Sequence, residues 1–180
     1  MRTIYFLNLL VLVTCFECGN VTKETLAVQV ASELKQGLQK ELRQKMEMGG
    51  EVAAIQYCNL KAIPLSLEIS KSTGFQIRRI TNKPRNQINL MTERELRSFE
   101  LIQSEFSKTG KYNPLVETFD GATHVYIPIT IGENCLVCHG EPGRNVKPKT
   151  IEILKKLYPM DKALDYKLGD LRGLFDVKIN

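Results

Sequence analysis

Beyond residue 20, apolar residues recur at helical spacing. Ala27, Val30, Ala31, Leu34, Leu38, Leu42 and Met46 form one stripe, and Lys35, Lys40, Arg43 and Lys45 occupy the other faces. Thr22 or Thr25 is placed to cap this helix, which is expected to reach about Met48 and to break at Gly49-Gly50. A second helix is expected from Glu51, with Ala54, Ile55, Cys58 and Ala62 on one face. Pro64 has no backbone donor and should kink or restart it before it ends at Ser72-Thr73-Gly74. Phe75 to Thr81 then reads as a strand, although adjacent Arg78 and Arg79 disturb its alternation.

After a loop over residues 82–86, Thr92-Glu93-Arg94-Glu95 is a capping box flanked by Met91 and Leu96 as a hydrophobic staple. The helix it opens is expected to point Leu96, Phe99, Ile102 and Phe106 inward and to stop at Thr109-Gly110. Pro114 to Phe119 and Thr123 to Thr130 read as strands joined by an Asp120-Gly121 turn. A short helix from about Thr150 to Leu157, stopped by Pro159, and a strand from Arg172 to Ile179 close the chain. This order predicts an α+β fold, an antiparallel sheet with flanking helices and a long N-terminal helix.

The chain has 180 residues, 43% of them hydrophobic, enough for one domain with its own core plus a targeting segment. Its net charge of +5 comes without a basic cluster interleaved with aromatics, which argues against a nucleic-acid partner. Arg2 followed by the apolar run Ile4 to Val13 has the form of a signal peptide over residues 1–20. Leu12-Val13-Thr14-Cys15 resembles a lipobox with an atypical threonine, so a lipid anchor at Cys15 stands beside simple cleavage. No later stretch is long and apolar enough to cross a bilayer, so the mature domain, residues 21–180, is expected outside the cytoplasm without a transmembrane helix.

The chemistry concentrates in Asn134-Cys135-Leu136-Val137-Cys138-His139-Gly140. Two cysteines two residues apart, followed at once by histidine, form the attachment signature of a c-type haem. Cys135 and Cys138 would form thioethers to the two vinyl groups, and His139 would be the proximal iron ligand. One covalent haem c is the cofactor this predicts. A zinc site would need two further ligands, and the sequence offers no second Cys-x-x-Cys and only one other histidine, His124. A thioredoxin-like dithiol needs no histidine directly behind the pair.

Several stretches together resemble a known family, the Tll-like c-type haem domain, also called the c-type haem family protein, which has a PAS-like fold. The resemblance spans roughly Val21 to Asn180. It rests on Tyr57-Cys58 with Pro64, on Arg78-Arg79 through Arg85-Asn86, on Cys135 through Pro142, and on Leu157-Tyr158-Pro159 with Gly169-Asp170-Leu171-Arg172-Gly173. It implies a single haem c in a PAS-like pocket, with histidine on one side of the iron and cysteine on the other. The matching residues are His139 and Cys58. Many relatives carry this domain as the extracytoplasmic sensor of a membrane kinase.

From spacing alone, Cys58 reads as a small buried hydrophobe; the resemblance makes it the distal ligand. His124 is the rival distal ligand, set on a strand face with Tyr126 and read as a surface or pocket-edge side chain. Met46, Met48, Met91 and Met160 are weaker rivals, since core filling accounts for methionine. Arg78, Arg79 and Arg85 offer planar forks to the haem propionates, with Arg79 and Arg85 preferred. The expected function is an exported monohaem c-type cytochrome-like protein in redox sensing or electron transfer, not an enzyme, with an unspecified redox partner. The alternatives are a peroxidase-like haem enzyme with a labile distal side and a zinc-binding structural domain.

Overall fold

The computed structural model describes residues 22–179. The signal peptide expected over residues 1–20, with Arg2, the apolar run and Cys15, lies outside the described residues. The first element, α1 (Lys23–Thr73), is two helical arms that meet at Gly49-Gly50. Gly50 adopts φ 65°, ψ −159°, so the break falls where the glycine pair predicts it. Thr22 caps the first arm by accepting from the Thr25 amide at 3.2 Å, and left-handed Gly74 ends the second. Pro64 does not divide the second arm, contrary to expectation. Proline's own φ is helical, and the departures from helical dihedrals are confined to the two glycines. The side chain of Ala62 lies outside the described residues.

Next come β1 (Gln76–Ile80) and α2 (Glu93–Thr109). The predicted capping box closes: Glu95 N–H donates to Thr92 Oγ1, and the Thr92 amide donates to Glu95 Oε2 at 2.8 Å. The helix seats Glu95, Ser98, Phe99 and Ile102. Leu96 and Phe106, expected inward, are 36% and 37% exposed. Leu96 stands about 100° round the helix from the seated Glu95, and Phe106 instead stacks on Tyr112 at 4.0 Å. The hairpin β2 (Leu115–Phe119) and β3 (Ala122–Thr130) turns at Asp120-Gly121, both with positive φ as a tight two-residue turn requires.

Two short helical pieces that the pattern did not predict follow: a 3-10 turn at Glu133–Cys135 and α3 (Leu136–His139). Then come α4 (Pro148–Leu157), begun two residues earlier than expected by Pro148 at its first turn, and β4 (Leu171–Ile179).

The strands form one antiparallel sheet in the order β1-β4-β3-β2. One face, with Ile77, Val125, Phe175, Val177 and Ile179, packs on Ala27, Val30, Ala31 and Leu34 of α1. The opposite face, with Ile80, Tyr126 and Leu174, packs on Phe99 and Ile102 of α2. The Arg78-Arg79 pair that disturbed the strand pattern is divided by the pleat: Arg78 faces α2 and Arg79 faces α1. At Gly173 a Cβ would run into the Ile80 carbonyl, so glycine is what lets β4 lie against β1 there.

Candidate functional site

Between the two arms of α1 and the sheet lies a cleft of about 210 Å³, open along one side. The first arm supplies Leu38 and Leu42, the second Tyr57 and Cys58, and the sheet Ile129, Phe175 and Arg79. Cys135, His139 and Arg172 also line it, with Lys35 at the first arm. Cys135 and Cys138 stand three residues apart on one short helical run, but only Cys135 is among the residues lining the cleft. Cys138 packs among Ile55 of α1 and Val146, Leu154 and Tyr158. Burial pushes its thiol up to about 11, against the pull of Arg85. Cys58, Cys135 and Cys138 are all free thiols. Burial also raises Cys58, with the positive charges of Arg79 and Arg85 opposing.

His139 is held by the segment that crosses beneath it. Its Nδ1 lies 2.8 Å from the carbonyl oxygen of Ala163. A carbonyl can only accept, so Nδ1 carries the proton and the neutral ring keeps its lone pair on Nε2. Tyr166 meets the ring edge-on at 6.2 Å, and its amide donates to the His139 carbonyl at 3.0 Å. Burial, followed by the charges of Arg85 and Arg172, holds the imidazole well below its usual range and keeps it neutral. Gly140 is where the chain turns away: a Cβ there would come within 2.7 Å of the Leu136 carbonyl.

The two arginines singled out in the sequence have different surroundings. Arg85 donates through Nε to Asp161 at 2.9 Å, and through Nη2 to the Cys138 carbonyl at 2.6 Å and the Ala163 carbonyl at 3.2 Å. Arg79 lines the cleft, and burial lowers its guanidinium from the ordinary value; no carboxylate pairs with it among the described residues. Its ionisable neighbours are the Cys58 thiol and the Tyr158 hydroxyl, both raised by burial and so neutral. Arg78 is spent on Glu95 and Asp176 on the other face.

His124 is also on that other face. Its Nδ1 lies 2.8 Å from Asp176 and its ring stacks on Phe119 at 4.2 Å. The sheet therefore separates it from the cleft, and it is no rival for Cys58. Met46, Met48, Met91 and Met160 are not among the lining residues either.

Arg172 is the site residue that pattern reading missed. Ile129 pairs with Gly173 and Thr130 with Leu171, so Arg172 is an extra residue in β4. Such a bulge re-aims a side chain, and here Arg172 enters the cleft lining instead of alternating across the sheet. Its Nη1 donates to Thr81 Oγ1 at 2.9 Å and to the Lys83 carbonyl at 3.2 Å, while its buried Nε has no partner. The Gly169-Asp170-Leu171-Arg172-Gly173 motif was the available signal.

These residues fit a haem. The cleft is lined mostly by apolar side chains, and its donor set joins a neutral imidazole lone pair to a thiol from another element. Two cations, Arg79 and Arg172, stand without carboxylates in a poorly solvated place, which suits a ligand carrying two carboxylates. The volume is below the roughly 300–1,000 Å³ of ordinary ligand pockets, and the cleft is open along one side.

Fold and site together define an α+β domain with a cysteine- and histidine-bearing cleft between a helical hairpin and an antiparallel sheet. The chain belongs to the Tll0287-like family, whose model matches residues 20–180. Among solved structures, the crystal structure of the cyanobacterial haem protein Tll0287 matches with a TM-score of 0.62 and 23% identity, over 88% of this chain and 96% of that chain. At that identity the likeness bears on the fold. No curated protein matches.

Proposed function

We propose that this chain binds one haem c and works in redox sensing or electron transfer. Cys135 and Cys138 attach it by thioethers, His139 Nε2 is one axial ligand and Cys58 the other, and Arg79 and Arg172 face its carboxylates. Arg85, preferred from the sequence as a carboxylate partner, serves as a brace because Asp161, Cys138 and Ala163 already take its donors. The haem supplies one-electron chemistry when bound. The observation that carries the reading is that Cys58, Cys135 and His139, brought from two separate stretches, line one cleft whose cations have no carboxylates. The solved haem protein of the same fold supports it.

Two protein ligands leave no open position for a substrate, so a carrier or sensor is favoured over an enzyme. A peroxidase-like reading needs a labile distal side. The zinc reading finds little support: no group of three or more His, Cys, Asp or Glu is placed to hold a metal among the described residues. Among them, too, no helix is long and apolar enough to cross a membrane. Export rests on the leader, and the mature N-terminus read by mass spectrometry should begin beyond the apolar run or at a lipidated Cys15. An intact Met1 on functional protein would refute export.

The test is an absorption spectrum of protein matured in a host with haem-attachment machinery. Haem should stay with the polypeptide after acid-acetone extraction, and the ferric form should be low-spin with thiolate character. Cys58→Ala should change that spectrum and raise the reduction potential, since a thiolate donates strongly to ferric iron. A colourless protein with stoichiometric zinc would end the reading. Rapid turnover of hydrogen peroxide by the wild type would favour the enzyme instead.

A further inference from the structure

The carbonyl of Ala163 is shared. It accepts from His139 Nδ1 at 2.8 Å and from Arg85 Nη2 at 3.2 Å. Asp161 anchors the assembly from behind: Oδ2 accepts from Arg85 Nε at 2.9 Å, and Oδ1 accepts from the Ala163 amide at 2.8 Å. The Arg85 and Asp161 side chains are only 12% and 8% exposed, so water screens them little. A hydrogen bond accepted from the far nitrogen of a ligating histidine fixes the ring and raises its basicity. A cation bonded to the same acceptor draws on the same lone-pair density and weakens that effect.

We propose that the Arg85–Asp161 pair sets how strongly His139 donates to a bound iron, Arg85 weakening the donation and Asp161 restoring it. The proposal rests on the haem reading. Both residues act through Ala163 and are positioning residues. Arg85 acts in one direction by two routes. Its positive charge favours the reduced iron, and its claim on the Ala163 carbonyl makes His139 a poorer donor to the oxidised one. Asp161 opposes both, because its carboxylate offsets the charge and holds the guanidinium back by its Nε.

The experiment is the midpoint potential of the haem-loaded wild type, Arg85→Gln, Asp161→Asn and the double variant. Arg85→Gln is expected to move the ferrous-to-ferric equilibrium about tenfold toward ferric, ~59 mV lower for a one-electron couple. Asp161→Asn is expected to move it by a similar factor toward ferrous. The double variant should return toward the wild type, because the two charges leave together. A merely structural brace predicts otherwise: both single variants break the one bond they share, Arg85 Nε to Asp161 Oδ2, and loosening the brace from either end would shift the potential the same way. That result, or haem-loaded variants with unshifted potentials, overturns the proposal.

Should Arg85→Gln fail to mature, Arg85→Lys keeps the charge without the fork. Its potential should then stay nearer the wild type than that of Asp161→Asn, and the reverse order overturns the proposal. A wild type that takes up no haem sinks the underlying reading, and the proposal with it. A loaded wild type without opposite shifts sinks the proposal alone.

Discussion

On the α2 side of the sheet, Asp176 is 3% exposed and is shared by Arg78 at 3.3 Å and His124 at 2.8 Å. Glu95 takes a second bond from Arg78 while closing the cap of α2, and Ser98 donates to Glu117 at 2.6 Å. On the α1 side, Arg79 and Arg172 sit in the cleft lining with no carboxylate paired to them among the described residues. Among the described residues, each region also holds one buried side-chain atom without a well-formed hydrogen bond, Tyr126 Oη beside Ser98 on the α2 side and Arg172 Nε at the cleft. The two defects differ in kind. A neutral hydroxyl beside the Ser98 hydroxyl costs little, about 1 kcal/mol, and marks imperfect packing. A desolvated cation with no anion paired to it among the described residues costs more, and it is the feature on which the proposed contact with haem carboxylates rests.

The largest effect should come at the seam that holds both regions together. Gly173→Ala places a methyl against the Ile80 backbone, which cannot swing away as a side chain can. Destabilisation of about 3 kcal/mol is expected in urea unfolding, with loss of whatever the cleft binds. A fully stable variant would show that β1 and β4 can separate there without consequence.

The next test sets the faces directly against each other. Asp176→Ala should cost about 2 kcal/mol, because it strips His124 and Arg78 of their shared acceptor. Arg79→Met in haem-free protein should instead be neutral or stabilising by ~1 kcal/mol, since it relieves a desolvated cation and adds apolar contact. Equal destabilisation by both would remove the contrast.

The smallest effect at neutral pH belongs to Tyr126→Phe, which deletes the orphan hydroxyl and should stay within about 1 kcal/mol of the wild type. Its signature lies in alkali. Burial, then the Asp176 and Glu117 charges, push Tyr126 up to about 12. The unfolded chain ionises near 10 and the folded protein later, so this contribution is whole below pH ~10 and is lost as pH rises toward 12. Stability curves should therefore fall less steeply over that window for Tyr126→Phe; identical slopes would contradict it.

The sequence by itself determined what depends on neighbours a few residues away. Thr92 with Glu95, the Gly49-Gly50 break and the Asp120-Gly121 turn are local geometry, and each stands in the structure as read. The same locality misplaced Leu96 and let Pro64 look like a break, because packing decides which helix face is covered and an exposed turn tolerates a missing donor. Tertiary structure decided the chemistry of the arginines. Arg79 and Arg85 are alike in sequence, but Asp161, 76 residues away, engages only Arg85. A bulge turned Arg172 toward the cleft, and the fold set Asp176 of β4 against His124. Whether a charge is paired depends on partners that only the folded chain brings within hydrogen-bond reach, and no local pattern encodes that distance.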